Sequence, residues 1–191
     1  MKANEIKKSA VVQFVNKGYE ETSLDDIVEG IGIKKQSIYS HFKNKEDIFL
    51  QVMNDAVNKE ISFVNHFFES RSQVELQEVL FKLLVRYKER YLLEDDKNIK
   101  FLLRMAFMPP YHLRDTAMEQ FEKYNQELER NVKEAFSKAE HIRVTAEEGT
   151  ISFLNFLDGI LVELIYTNSS KFETRLRVSW EIYWQGISMV K

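Results

Sequence analysis

Glycine and proline, the residues that most often end helices and shape tight turns, are scarce in this chain. Its 191 residues include six glycines and two prolines, too few for the many turns of a β-sandwich or a barrel. Apolar residues recur at helical spacing along nearly the whole length instead. The sequence therefore predicts an all-α fold without strands.

Composition narrows the class of protein further. Apolar residues make up 44% of the chain and aromatic residues 13%, enough to bury a sizeable core. The absence of cysteine excludes disulfide scaffolds, thiol catalysis and cysteine-ligated zinc, and it fits a reducing compartment. The N-terminus lacks the apolar segment of a signal peptide, and polar residues interrupt the most apolar stretch, 151–165. We expect a soluble, cytoplasmic protein with no membrane partner.

The net charge of −3 is unevenly distributed. Residues 1–45 contain eight lysines and six acidic residues, a net charge of +2, whereas the remainder contains 19 basic and 24 acidic residues, a net charge of −5. Residues 33–45 contain four lysines and no acidic residue. A small basic region attached to an acidic body indicates a nucleic-acid-binding head.

Four helices are predicted in the first third of the chain. The first covers about 4–17, and Gly18 is placed to cap its C-terminus. Thr22 and Ser23 are N-cap candidates for a second helix that ends at Gly32, with Asp25 and Asp26 as capping-box partners. A short third helix covers about 34–41, and a long fourth begins after Asn44. The later predicted helices cover 74–92, 97–108, 112–137, 146–166 and 171–187.

The second and third predicted helices, joined by a turn at Gly32, form a helix-turn-helix. Ile38 and Phe42, four residues apart, are expected to anchor the third helix and turn the residues between them outward. Lys35 suits guanine and Gln36 suits adenine in a major groove. Other polar side chains here suit phosphates or thymine methyl groups, and helix N-termini attract phosphate. The candidate DNA-binding residues are Thr22, Ser23, Lys34, Lys35, Gln36, Ser37, Tyr39, His41 and Lys45.

The same segment resembles a known family. Gly18-Tyr19, Thr22-Ser23-Leu24, Ile27, Gly32-Ile33 and the run from Ser37 to Glu46 are similar to the N-terminal signature of the TetR (tetracycline repressor) family of bacterial transcription regulators. The resemblance spans about residues 6–52. Two positions depart from the usual pattern: Val28 replaces a small residue, which bears on packing, and Gln36 replaces glycine or proline, which bears on the operator sequence.

This resemblance implies an all-α homodimer of two domains. A helix-turn-helix DNA-binding domain, 1–46, is joined by a long helix to a helical ligand-binding and dimerisation domain, 47–191. It also implies DNA contacts at Lys35, Gln36, Ser37, Tyr39, His41 and Lys45. The implied function is a repressor that binds a palindromic operator and is released by a small effector.

Two helices in the C-terminal part are apolar on more than one face. The segment 146–166 and the segment 171–187 are each expected to pack on their own domain while presenting a second apolar strip to another copy of the chain. Gly159, inside the first of them, permits close approach of a helix, although an ordinary tolerated glycine explains it equally well.

Aromatic, methionine and polar residues gather at 87–125 and suggest a pocket for an apolar or aromatic effector. The alternative is that these residues are ordinary core, which such stripes usually are. The candidate ligand-binding residues are Tyr87, Tyr91, Phe101, Arg104, Met105, Met108, Phe121, Tyr124, Asn125 and Phe156.

Catalysis is not expected. The four histidines are scattered, and the chain has no metal-ligand pair, phosphate-binding glycine loop or nucleophile elbow. We therefore predict no catalytic residue, metal or cofactor, with double-stranded operator DNA, a small effector and a second copy of the chain as partners. Two alternatives remain: helices joined by a glycine turn whose lysines are merely solvated, and a helical ligand-binding or protein-interaction module that has lost sequence-specific DNA binding.

Overall fold

The structure, a computed structural model, describes residues 2–94, 96–166 and 168–189. Within these ranges the chain forms eight α-helices, two 3-10 helices and one π-helical turn. The α-helices are α1 Lys2–Lys17, α2 Leu24–Glu29, α3 Lys45–Glu69, α4 Leu76–Lys88, α5 Lys97–Phe107, α6 Arg114–Ser137, α7 Ala146–Tyr166 and α8 Ser169–Ile187. The 3-10 helices are Lys35–Ser40 and Tyr111–Leu113, and the π-helical turn is Glu89–Leu93.

The all-α prediction is confirmed. The described ranges contain no β-strand, and a single isolated bridge joins Ile142 to Ser188. Gly18 ends α1 with φ +85°, and its N–H donates to the carbonyl of Phe14 at 3.0 Å, as its predicted capping position requires. Gly32, at φ +66°, makes the predicted turn after α2.

The predicted third helix is present but is a 3-10 helix. The N–H of Ser37 donates to the carbonyl of Lys34 and that of His41 to Ile38, both at 2.8 Å, with three residues between the partners. No side chain caps its N-terminus. A segment of six residues without a cap is too short to favour α-helical over 3-10 geometry.

Packing divides the chain into two units. The first comprises Met1–Glu60 and Asp96–Tyr124. Its core contains three fully buried rings from three helices, those of Phe14 in α1, Phe49 in α3 and Phe101 in α5. Their centroids lie between 5.7 and 6.2 Å apart, distances at which aromatic pairs attract each other. The head of the molecule therefore includes α5, which is distant in sequence.

The second unit comprises Ile61–Asp95 and Asn125–Lys191. Helices α4, α7 and α8 supply much of its core, including Leu83, Leu157 and Leu176, which are almost fully buried. The predicted functional division, 1–46 and 47–191, stays a prediction; the division by packing falls at other positions and makes each unit discontinuous in sequence.

Helix α7 is unusually apolar. Judged by length and composition, it is the one helix within the described ranges that is long and apolar enough to cross a bilayer. Phe153, Leu157 and Leu164 on one of its faces are buried in the second unit, and core helices buried in this way pass the same test.

Candidate nucleic-acid interface

The predicted capping box organises the loop that leads into α2. The hydroxyl of Ser23 accepts a hydrogen bond from the Asp26 N–H at 3.1 Å, and the Asp26 carboxylate accepts from the Ser23 N–H at 2.7 Å. Thr22 is buried, and its hydroxyl donates to the Gly18 carbonyl at 2.6 Å. This hydroxyl stabilises the turn after α1 and does not face solvent, whereas Ser23 remains exposed.

The 3-10 helix Lys35–Ser40, which we call the recognition helix, is held by the two predicted anchors. Ile38 is fully buried and Phe42 is 3% exposed. Because these apolar side chains face the core, the side chains between and before them face outward. Lys34, Gln36 and His41 are exposed, and Tyr39 is 58% exposed.

The outward side chains carry chemical groups of the kind that read and hold DNA. The amide of Gln36 forms no hydrogen bond with any other described residue, so both its donor and its acceptor are available to a base edge. Lys34 and Lys43 are exposed cations on either side of the recognition helix. The ring of His41 lies 6.4 Å from that of Phe42, which supports it against the anchor.

Lys35 is already paired. Its ammonium lies 2.6 Å from a carboxylate oxygen of Asp25 in α2, and both side chains are largely exposed. Hydrogen bonding to Asp25 raises the pKa of Lys35 above its ordinary value. The ion pair links the two helices of the helix-turn-helix and places an acidic group beside a predicted base-reading residue.

Lys45 has a different role from a free surface cation. Its ammonium donates to the carbonyls of Tyr19 and Thr22, each at 2.8 Å, and to that of Glu20 at 3.3 Å. It also lies 4.3 Å from the centroid of the Tyr19 ring. An ammonium has three N–H donors, and here all three are directed at the loop. The structure thus gives Lys45 the role of fixing this loop to the start of α3.

Arg104, predicted as a ligand contact, lies at the C-terminus of α1. Its guanidinium donates to the carbonyl of Val15 at 3.1 Å, and a Cβ on Gly18 would lie 2.9 Å from its Nη2. A cation at this end of a helix stabilises the terminal carbonyls and the helix dipole. Sequence reasoning missed this role, because nothing local to Arg104 indicates that its partner is 89 residues away.

The other candidate ligand-binding residues fall into both units. In the first unit Phe101 and Met105 are buried, Met108 is half exposed, and the rings of Phe121 and Tyr124 lie 5.4 Å apart. Phe101 contacts the rings of Phe14 in α1 and Phe49 in α3, as the ordinary-core alternative also predicts.

In the second unit Tyr87 is fully buried, with its ring 5.7 Å from that of Phe63. Tyr91 lies in the π-helical turn, and burial raises its pKa. Phe156 stacks on Tyr183 with ring centroids 4.8 Å apart. Asn125 is half-buried. Membership of an effector site stays a prediction for all ten residues.

The described ranges hold no cluster of three or more histidine, aspartate or glutamate side chains arranged to bind a metal ion. The chemistry on display at the recognition helix is that of hydrogen bonding and positive charge.

The match to a family follows the geometry of this interface. The sequence profile described as "Bacterial regulatory proteins, tetR family" matches residues 6–52. The matched segment begins in α1, contains the whole helix-turn-helix and ends in α3. Residues 6–52 thus match the TetR family. Its members are transcriptional regulators, not enzymes, and this chain is a DNA-binding transcriptional regulator.

Curated relatives extend the similarity beyond the head. The biofilm operon icaADBC HTH-type negative transcriptional regulator IcaR of Staphylococcus aureus (strain Newman) is 27% identical over 187 residues, 94% of each chain. IcaR of Staphylococcus epidermidis is 34% identical over 90 residues, which are 47% of this chain and 49% of that relative.

Solved structures show the same fold along nearly the whole chain. A TetR-family regulator from Agrobacterium tumefaciens has a TM-score of 0.77 at 17% identity, covering 98% of this chain and 97% of that one. The regulator FadR from Bacillus subtilis, in complex with stearoyl-CoA, has a TM-score of 0.69 at 18% identity, covering 96% and 98%.

Proposed function

We propose that this TetR-family chain is a cytoplasmic repressor that binds a palindromic operator as a homodimer and is released by a small apolar or aromatic effector. The observation that carries the proposal is the recognition helix, which Ile38 and Phe42 anchor in the core while Gln36 and Tyr39 remain exposed beside a basic surface. The negative regulator IcaR of Staphylococcus aureus, similar over 94% of its length, supports repression as the direction of control.

Sequence reading is assigned to the recognition helix. Gln36 pairs with adenine through its amide, and Lys35, oriented by its ion pair with Asp25, donates a second N–H to guanine. Tyr39 and His41 contact phosphate or thymine methyl groups of the DNA. The DNA backbone is bound by Lys34, Ser37 and Ser23. Thr22 and Lys45 act indirectly, by fixing the loop between α1 and α2.

The outward faces of α7 and α8 support the dimer. On α7, Ile151 and Tyr166 are 53% and 69% exposed; on α8, Val178 and Ile182 are 43% and 67% exposed. These residues lie on the faces of their helices opposite the buried stripes. A Cβ on Gly159 would meet nothing within 4 Å in the chain, so a helix of a second copy can approach closely there. Two helices from each copy would form a four-helix interface.

Release is proposed to act through the spacing of the two recognition helices. A palindrome presents its half-sites about 34–36 Å apart, or at a multiple of that distance. An effector bound near residues 87–125 would change this spacing by moving α3, which continues from the head into the second unit. Effector and DNA then weaken each other's binding by the same factor. FadR, solved with stearoyl-CoA, illustrates a fold of this type that holds a ligand with an apolar chain.

Selection of bound DNA from a random library tests the proposal most directly. A palindrome recovered with a fixed half-site spacing supports the dimer and the recognition helix together. Recovery of no sequence preference, despite binding to heparin, would favour the alternative of a helical module that no longer reads DNA.

The selected palindrome then tests the residues. The double variant Lys35→Ala/Tyr39→Ala is expected to lose at least about 5- to 150-fold in specific binding in a mobility shift, because the base contact of Lys35 by itself contributes about 1–3 kcal/mol. Lys171→Ala/Tyr111→Ala removes the same residue types at exposed positions outside the recognition helix and is the matched control. Equal selectivity of the two double variants would reject the interface.

The dimer has its own test. Ile182→Glu places a charge on the proposed apolar strip and is expected to convert the protein to monomers in sedimentation equilibrium. Tyr111→Glu, at a residue that is 92% exposed in the first unit, is expected to leave the mass unchanged. A monomeric wild-type protein that still binds the palindrome tightly would contradict the proposed assembly.

A further inference from the structure

A groove on the second unit lies between α4 and α8, outside the recognition helix and the ten predicted ligand-binding residues. Its volume is about 400 Å³, within the range of roughly 300–1,000 Å³ typical of small-molecule sites. Phe81 from α4 and Trp180 and Trp184 from α8 form its floor.

The floor is a set of neighbouring aromatic rings. The centroid of Trp180 lies 5.4 Å from that of Phe81 and 5.8 Å from that of Trp184. The two indoles are stacked with 24° between their planes, because residues one helical turn apart lie on the same face of α8. Trp180 is 8% exposed and Trp184 is half-buried, so the second indole offers more ring surface to a bound molecule.

Four polar side chains surround this floor: those of Gln77 in α4 and of Arg177, Glu181 and Gln185 in α8. None of them forms a hydrogen bond or ion pair with another described residue. The rim therefore presents free donors and free acceptors around an apolar surface. Its one cation and one anion give it no net charge, so it selects neither anions nor cations.

We propose that this groove is a binding site for a neutral, planar aromatic molecule that carries hydrogen-bond donors and acceptors at its edges. The flat face of such a molecule stacks on Trp184 and Phe81. Its edge groups pair with the amides of Gln77 and Gln185 and with the two charged rim residues, which supply orientation and specificity. The site is independent of DNA binding.

A second copy of the chain is the competing occupant of the groove. The proposed dimer strip, however, lies on another side of α8. Val178 and Ile182, which belong to the proposed dimer strip, are each two residues from Trp180 and so lie on the opposite side of the helix. The tryptophan floor and the strip lie on different faces of α8, whereas Gln185, three residues after Ile182, borders the strip. Substitutions at Trp184 and at Gln77 in α4 therefore address the groove separately from the strip.

Lumichrome is a suitable probe, since it is a neutral three-ring molecule with N–H and carbonyl groups on its edge. Trp180 and Trp184 are the two tryptophans of the chain, so all of its tryptophan emission arises at the groove. Titration of the full-length protein with lumichrome is expected to quench this emission saturably, with one site per chain. Calorimetry of the same titration supplies an affinity independent of fluorescence.

Variants locate the site, because energy transfer alone acts over a distance. Trp184→Leu is expected to weaken lumichrome binding about tenfold, and Gln77→Ala in α4, which leaves the floor intact, severalfold. Ile182→Ala, on the opposite face of α8, is expected to bind like the wild type. Circular dichroism and thermal unfolding establish whether each variant is folded. If Trp184→Leu does not fold, the rim variant tests the site in its place.

Three results would overturn the proposal. Quenching that never saturates indicates collision with exposed indole, and an affinity unchanged in both groove variants places lumichrome elsewhere. Loss of binding in Ile182→Ala would assign the probe to the interface between copies. Since the titration contains no DNA, none of these results bears on the proposed repressor function.

Discussion

The ammonium of Lys35 on the recognition helix lies 2.6 Å from the carboxylate of Asp25 on α2. The pair is exposed, so it adds little to stability. Its effect is on binding, because a base or phosphate that reaches Lys35 must displace or tolerate the carboxylate. We therefore expect Asp25 to lower the attraction of the recognition helix to any DNA and to keep Lys35 in one orientation.

Asp25→Asn is expected to raise affinity for random-sequence DNA about fivefold at low salt, since unit charges 4 Å apart interact by about 1 kcal/mol in water. The gain should shrink as salt screens the charge. Affinity for the selected palindrome should rise less, so discrimination falls. Fluorescence anisotropy on both DNAs measures this, with Glu119→Gln, an exposed acid in α6, as the control. Unchanged discrimination would show that the ion pair has no part in reading.

Lys45→Met tests whether this lysine acts through the loop. The substitution keeps most of the aliphatic stem but removes the donors to the carbonyls of Tyr19, Glu20 and Thr22. We expect the free energy of unfolding to fall by about 1–3 kcal/mol, measured by urea denaturation. Lys43→Met, at an exposed position nearby, should change it by less than about 0.5 kcal/mol. Equal losses of stability in the two variants would show that the contacts of Lys45 with the loop carbonyls do not stabilise the fold.

Gly18→Ala is expected to destabilise the protein more than Gly32→Ala. Both glycines have positive φ, and an L-residue there costs roughly 1–2 kcal/mol. A Cβ on Gly18 would also lie 2.9 Å from the Arg104 guanidinium, whereas a Cβ on Gly32 meets nothing within 4 Å. Differential scanning calorimetry compares the two midpoints. A lower midpoint for Gly32→Ala would contradict the contact with Arg104.

The capping box at α2 predicts a dependence of stability on pH. Hydrogen bonds from Lys17 and Ser23 hold the pKa of the Asp26 carboxyl far below its ordinary value in the folded protein. Its stabilising contribution is therefore complete above the unfolded pKa of about 3.9 and is lost as the pH falls towards the lowered folded pKa. The stability difference between the wild type and Asp26→Asn should be largest near neutral pH and shrink between about pH 5 and pH 2. Urea unfolding across this range measures it; parallel curves would reject the coupling.

Local patterns predicted much of the interface. The four-residue spacing of Ile38 and Phe42 predicted which face of the recognition helix is buried, and the Ser23–Asp26 spacing predicted the capping box. Both depend on neighbours within one helical turn, so the sequence itself contains the relevant distances. The 3-10 geometry of Lys35–Ser40 was not predicted, because apolar spacing over two turns does not separate it from an α-helix.

Long-range partners were beyond sequence reasoning. Phe101 and Arg104 lie on α5 at helical spacing, which indicates that they face an interior but not which one. The structure places the first against Phe14 and the second on the Val15 carbonyl. Lys45 was predicted as a DNA contact from its charge at a helix N-terminus and from the family resemblance. The three loop carbonyls that it meets lie 23 to 26 residues earlier, so no local pattern indicates them.

The position of α5 in the first unit restricts how such regulators can be recombined. A hybrid that exchanged only the segment up to residue 52 would import Phe14, Phe49 and the Val15 carbonyl without the ring of Phe101 and the guanidinium that complete them. Operator specificity can therefore be exchanged between this protein and a related regulator only by a graft of two segments. One segment is the chain up to residue 52, and the other is α5.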